Sequence, residues 1–156
     1  SLVKRKGSFR IAEHFERLRA DPEGCSNLKV DFSYKQRTTT GFAIHIASLH
    51  AEGAEIVRRL LALRVDPETA SIQAAGTYTD GGKEKKHFPI HLAAAMGNVE
   101  TIKALLGARA NVDKMSKVGD EDHYAAIHEA AYFDKAEAVR LLCERHADLN
   151  MQNKGG

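Results

Sequence analysis

Three stretches of this chain repeat one another, and a chain that repeats itself every few tens of residues folds by stacking like units rather than by wrapping a single core. Phe42-Ala43-Ile44-His45-Ile46-Ala47 returns as Phe88-Pro89-Ile90-His91-Leu92-Ala93, and again as Ala125-Ala126-Ile127-His128-Glu129-Ala130. An apolar turn and a polar ending follow each copy: Leu60-Leu61 before Val65-Asp66-Pro67, Leu105-Leu106 before Ala110-Asn111-Val112-Asp113, and Leu142-Cys143 before Ala147-Asp148-Leu149-Asn150. His91 to Leu105 and His128 to Leu142 both span 14 positions, while His45 to Leu60 spans 15, which places one extra residue within Ala51 to Ala54.

Each unit reads as two short helices. In the second copy Ile90, Ala93 and Ala94 share one helical face, and Gly97-Asn98 breaks the helix. Val99, Ile102, Leu105 and Leu106 then form the next apolar stripe. The small pairs Ala47-Ser48, Ala93-Ala94 and Ala130-Ala131 let neighbouring helices approach closely. One such pair has too little apolar surface to stand alone, so the units must bury their faces against one another.

These motifs resemble the ankyrin repeat, a unit of about 33 residues that opens T-P-L-H-x-A. The resemblance runs from about Thr40 to the end and is carried by Phe88-Pro89-Ile90-His91-Leu92-Ala93-Ala94, Gly97-Asn98 and the two Ala-Asn/Asp endings. It implies an all-α solenoid of stacked helix pairs with long hairpin-like fingers, about three full repeats behind a degenerate cap. Residues 1–40 form the cap helix and a long finger, and 41–156 hold repeats at 41–68, 87–113 and 124–150. Fingers are inserted at 69–86 and 114–123, and the array is expected to continue past 156.

The departures are informative. Phe42, Phe88 and Ala125 replace the opening Thr and its capping hydroxyl. Arg64, Arg109 and His146 stand where a glycine is usual, so each must take a left-handed or altered turn. The histidine spacings of 46 and 37 residues exceed the usual period and put the excess into the fingers.

At the front, Arg17-Leu18-Arg19-Ala20-Asp21-Pro22-Glu23 echoes Ala62 to Glu68. Phe9, Ala12, Phe15 and Leu18 fall near one helical face with Ser8 as N-cap. That helix is expected to be the outer helix of a capping unit. Leu28, Val30, Phe32 and Tyr34 alternate with polar residues, as in a half-buried strand. Lys4-Arg5-Lys6-Gly7-Ser8 also has the form of a basophilic-kinase substrate, which makes Ser8 a phosphorylation candidate.

Chemistry finds little footing in the residue types. His45, His91 and His128 occupy one repeat position and fall roughly a helix diameter (~10 Å) apart, too far to converge on a metal at about 2 Å. Buried imidazoles bonded to backbone near each finger are expected instead. No nucleophile elbow, phosphate loop or H-E-x-x-H occurs, so no enzyme activity, metal or cofactor is expected. Cys143 takes a Leu position and reads as core, while Cys25 reads as a loop residue open to exposure. Two isolated cysteines predict a reducing compartment, cytoplasmic or other. An organelle stays open as an alternative, because Ser1 opens the chain where a processed leader would have been removed. A net charge of +2 is too small to imply nucleic acid, and no apolar run approaches a membrane span.

What the ankyrin resemblance implies is a non-catalytic protein-protein interaction module. Its groove is lined by the first helix of each unit and by the finger tips. Carried over by position, the lining is Leu49 and His50, Ala95 and Met96, then Tyr132 and Phe133, a strip rich in aromatic, apolar and Met side chains suited to interface centres. Finger residues Tyr78, His87, His123 and Tyr124 flank it, with Lys83, Lys85 and Lys86 adding positive charge. The expected partner is another protein, presenting an acidic or apolar segment. Long fingers folding back over the strip are the competing reading. A permanently docked subunit of a larger assembly, or the regulatory region of a larger enzyme or channel, are the alternatives in function.

Overall fold

The computed structural model describes residues 11–35, 37–73 and 82–152. Ser8, Phe9, Tyr78 and the closing Asn153 to Gly156 lie outside them. Two helices open the described chain, α1 (Ile11–Ala20) and α2 (Pro22–Cys25), followed by the hairpin β1 (Val30–Tyr34) and β2 (Arg37–Gly41). The helix pair α3 (Ala43–Leu49) and α4 (Ala54–Ala62) leads to strands β3 (Ser71–Gln73) and β4 (Lys85–His87). A second pair, α5 (Pro89–Met96) and α6 (Val99–Gly107), leads to β5 (Met115–Val118) and β6 (Glu121–Ala125). The third pair is α7 (Ala126–Tyr132) and α8 (Ala136–Glu144).

Inner helices α3, α5 and α7 pack side by side, and so do the outer helices α4, α6 and α8. Ala47, Ala93, Ala94 and Ala130 are fully buried at the inner contacts, where a larger side chain would force the stack apart. Val57 and Leu60, Ile102 and Leu105, and Ala138 and Leu142 form the matching buried stripe on the outer helices. One extended core results, threading every unit. The extra residue of the first repeat sits in the turn from His50 to Gly53, as its spacing requires.

The left-handed turns anticipated from the missing glycines are present: Arg64, Arg109 and His146 have φ of 63°, 68° and 62°. Each follows an outer helix whose carbonyls it helps to close, Arg64 N–H to Leu61 O and Arg109 N–H to Leu106 O at 3.0 Å. The polar endings are Asx turns. Asp66, Asn111 and Asp148 each accept from the backbone two residues on, at 2.8–2.9 Å.

Each motif histidine does the same work in its unit. The Nδ1 atoms of His45, His91 and His128 accept the backbone N–H of Phe42, Phe88 and Ala125 at 2.9, 3.1 and 3.0 Å. Their Nε2 atoms lie 2.8, 2.7 and 3.1 Å from the carbonyls of Thr69, Lys114 and Met151. Accepting at Nδ1 leaves Nε2 to carry the proton and donate it. The imidazole thus satisfies the N–H of the residue before each inner helix, a different bond from the one a capping Thr hydroxyl would accept, and ties the helix start to the segment just past the following outer helix.

The all-α expectation is overturned. Among the described residues helix accounts for 47% and strand for 18%, and the strands form a six-stranded antiparallel sheet in the order β1-β2-β3-β4-β5-β6. The physical reason is a match of two spacings. Helices stack at about 8–10 Å, and two strands occupy about 9.6 Å, so each hairpin reaches pairing distance of the next. Thr39 pairs with Gln73 and Lys85 with Val118, joining successive fingers. Gly41 closes the first hairpin, and Phe32 and Tyr34 on β1 are buried, matching the alternation read there.

Two further readings change. Helix α1 packs on α3 and the single turn α2 on α4, so α1 holds an inner-helix place rather than an outer one. The cysteines exchange roles: Cys25 is buried and Cys143 exposed. Cys143 follows the stripe residue Leu142, and the matching Leu61 and Leu106 are only half-buried, so that position faces the flank of the outer helix rather than the core.

Burial pushes His45 and His91 down to about 4 from the ordinary 6.5. Between those values the unfolded chain binds protons that the folded chain refuses. Stability is therefore complete above the unfolded value and drains away as pH falls through the window. Each ring contributes about 3 kcal/mol to that loss. Urea midpoints are expected to drop steeply from neutral pH to about pH 4.5. His91→Gln should be less stable at neutral pH yet show a shallower pH dependence.

Candidate functional site

The sheet face that turns toward the inner helices is unusually polar for a buried surface. Thr39, Ser71, Gln73, His87 and Ser116 are all buried there. Gln73 donates to the Tyr34 carbonyl at 2.7 Å and lies 3.5 Å from His87 Nε2. The His87 ring meets the Tyr34 ring edge-on at 5.3 Å. Among the described residues, His87 Nδ1 and the Tyr34 hydroxyl are buried without a hydrogen-bond partner. Burial first, then the nearby His91, Lys35 and Lys85, hold His87 well below its usual range. The Tyr34 phenol is raised by burial and by the Glu129 charge.

Beside this face opens a cleft of about 740 Å³, bounded by the fingers on one side and α7 on the other. His87, His123, Tyr124, Tyr132 and Phe133, all foreseen as partner-facing, meet in it, together with Lys35, Gln73, Lys85, His128 and Glu129. Tyr132 is 83% and Tyr124 39% exposed. Tyr132 and Phe133 meet edge-to-face at 5.0 Å. The other four residues of the expected strip lie elsewhere. Leu49 and Ala95 are buried in the stack, because the next inner helix covers them. His50 lies under Phe15 of α1, the rings parallel with centroids 3.5 Å apart. Met96 is half exposed at the end of α5 but does not line the cleft.

The floor of the cleft carries a charge pair that the strip did not include. Glu129 is 3% exposed, and its Oε2 lies 2.9 Å from Lys35 Nζ, 94 residues away at the tip of the first hairpin. Lys35 holds φ of 50° there, and its ammonium stands 5.0 Å from the Phe133 ring centre and 5.2 Å from that of Tyr34. Part of the competing reading is realised: one finger tip does fold back across the groove, but as a single lysine. The signal for Glu129 lay in the repeat itself. It occupies the place of Ile46 and Leu92, both buried aliphatics, and a carboxylate in an apolar repeat position has to find a cation.

Comparison with known proteins agrees with this architecture. The family model for ankyrin repeats, in three copies, matches residues 44–153. Protein phosphatase 1 regulatory subunit 12A of Mus musculus is 36% identical over 67 residues, 43% of this chain and 6% of that protein. The same subunit of Rattus norvegicus gives the same figures. An ankyrin repeat and KH domain-containing protein of Caenorhabditis briggsae is 35% identical over 80 residues, 50% of this chain and 3% of its own length. The matched stretch is thus a small part of each of these curated relatives.

Removing one partner of the pair and removing the other should differ. Lys35→Ala leaves the Glu129 charge buried and unpaired, an expected loss of about 2–3 kcal/mol. Glu129→Leu restores the aliphatic residue of the other repeats and frees Lys35 to turn to solvent, with an expected change under about 1 kcal/mol. Urea midpoints of the two variants check the asymmetry.

Proposed function

Since the chain belongs to the ankyrin-repeat family, we propose that it is a protein-recognition module that holds a partner segment in the cleft between its fingers and α7. The observation that carries this reading is the cleft itself. It has the volume to accept several side chains, and its rim presents Tyr124, Tyr132 and Phe133. Exposed aromatic side chains beside a concavity bury large area at small entropic cost, and interface centres favour them for that reason.

The apolar reading of the partner is better supported than the acidic one. Lys83 pairs with Glu121 at 3.8 Å, and Lys117 pairs with Asp122, so much of the finger charge is met within the sheet. The regulatory-subunit relative supports a protein as the ligand. It also favours a second reading, that these repeats regulate a larger assembly, which a tandem purification with subunit identification would test.

A random peptide display library selected on the wild-type chain should yield ligands dominated by apolar residues. Their affinity, measured by calorimetry, is expected to fall at least about tenfold on Tyr132→Glu, since truncating or charging a central aromatic anchor removes about 2 kcal/mol or more. Circular dichroism should be unchanged, because Tyr132 touches solvent over most of its surface. Equal binding by wild type and variant would exclude the cleft.

A further inference from the structure

Most of the cleft is open, but one position in it is filled, and by a group whose chemistry can be read directly. The Lys35 ammonium lies against the Glu129 carboxylate and beside the rings of Phe133 and Tyr34. A buried carboxylate supplies the counter-charge, and ring faces supply the negative lobes that hold a cation once it is stripped of water. Two features mark this as a receptor and not a packing accident. Glu129 sits where the other repeats carry Ile46 and Leu92, so stacking alone would be served by an aliphatic residue. The lysine comes from outside the repeat, on a hairpin tip in the left-handed region, and its side chain is 34% exposed, so it has a path to solvent.

We propose that Glu129, walled by Phe133 and Tyr34, is the receptor for a lysine or arginine side chain of the bound segment, and that Lys35 fills it from within the chain until that segment arrives. The proposal rests on the cleft being the binding site and adds one fixed requirement to an otherwise apolar ligand. The incoming cation takes the place of the Lys35 ammonium at the carboxylate, and Lys35 turns out to solvent. An arginine has the advantage over Lys35, because its planar fork can meet both carboxylate oxygens while lying flat on a ring. Lys35 acts as a competitor tethered at the site, and it lowers the affinity for any incoming cation by the fraction of time it is seated.

The sign of the Lys35 effect makes the idea testable. The probe is n-propylguanidinium chloride, titrated against sodium chloride at matched ionic strength and followed by the ring-proton shifts of Phe133 and Tyr34. Lys35→Ser should bind the probe at least about tenfold more tightly than the wild type, and Lys35→Ser combined with Glu129→Leu should not bind it. If Lys35→Ser folds only in the presence of the probe and not of sodium, that rescue gives the same result. An equal response of Lys35→Ser and the double variant overturns the receptor. Display-selected peptides should carry one Lys or Arg whose replacement by Ala matters in the wild type and ceases to matter in Glu129→Leu. Peptides without such a residue, yet lost on Tyr132→Glu, overturn this proposal and leave the groove standing. Probe binding by Lys35→Ser with peptides indifferent to Tyr132→Glu overturns the groove reading and the partner role of the receptor with it.

Discussion

Each imidazole of the motif series joins two elements that would otherwise be independent. At Nδ1 it accepts the free N–H at the start of an inner helix, and at Nε2 it donates to a carbonyl just past the following outer helix. The fingers are mostly polar and bury few large apolar side chains of their own, so this bond and the strand pairing fix their direction. Once direction is set, the helix spacing of the stack delivers each hairpin alongside the next and the sheet propagates through the molecule. His45 and His91 must stay neutral at Nδ1 to accept, and burial holds both below their ordinary range, so these two bonds are lost only in acid. Stacking, capping and sheet formation are coupled through one side chain per unit.

The cleft follows from that coupling. A sheet growing from the helix starts leans over the inner helices and encloses a space between its polar face and α7. Its walls mix two kinds of surface that rarely meet: exposed aromatic rings at the rim and buried polar groups behind them. The Lys35–Glu129 pair lies where the two meet and bridges the first hairpin to the third repeat. In a solenoid, where most contacts are between neighbours, a bond over 94 residues is out of pattern. It holds the groove closed at one point while leaving the aromatic rim open.

Several readings failed for a shared reason. Strands β3 and β4 are three residues each and carry Ser, Gln, Lys and His. Neither length nor alternation marks them, and they exist because neighbouring hairpins hold them in register. Leu49 and Ala95 looked exposed from their place in the motif but are covered by the next unit, so a residue's role changes with its place in the stack. Cys25 and Cys143 swapped environments likewise. The echo of Asp66-Pro67 in Asp21-Pro22 is real as sequence, yet in the first unit Asp21 caps the turn α2 through the Gly24 N–H at 2.9 Å.

The amino-acid sequence determined everything that repeats: the helix pairs, the alanines that let them close up, the Asx turns, the left-handed Arg64, Arg109 and His146, and the ridge of histidines. These depend on interactions within a unit or between adjacent units, and a local pattern records them. Tertiary structure decided what a repeat unit cannot contain: that the fingers form one sheet, that the cleft opens at the third unit, and that Lys35 finds Glu129. Those outcomes depend on the distance between units in space. That distance is set by how closely the helices pack, a quantity spread over the whole core and written at no single position.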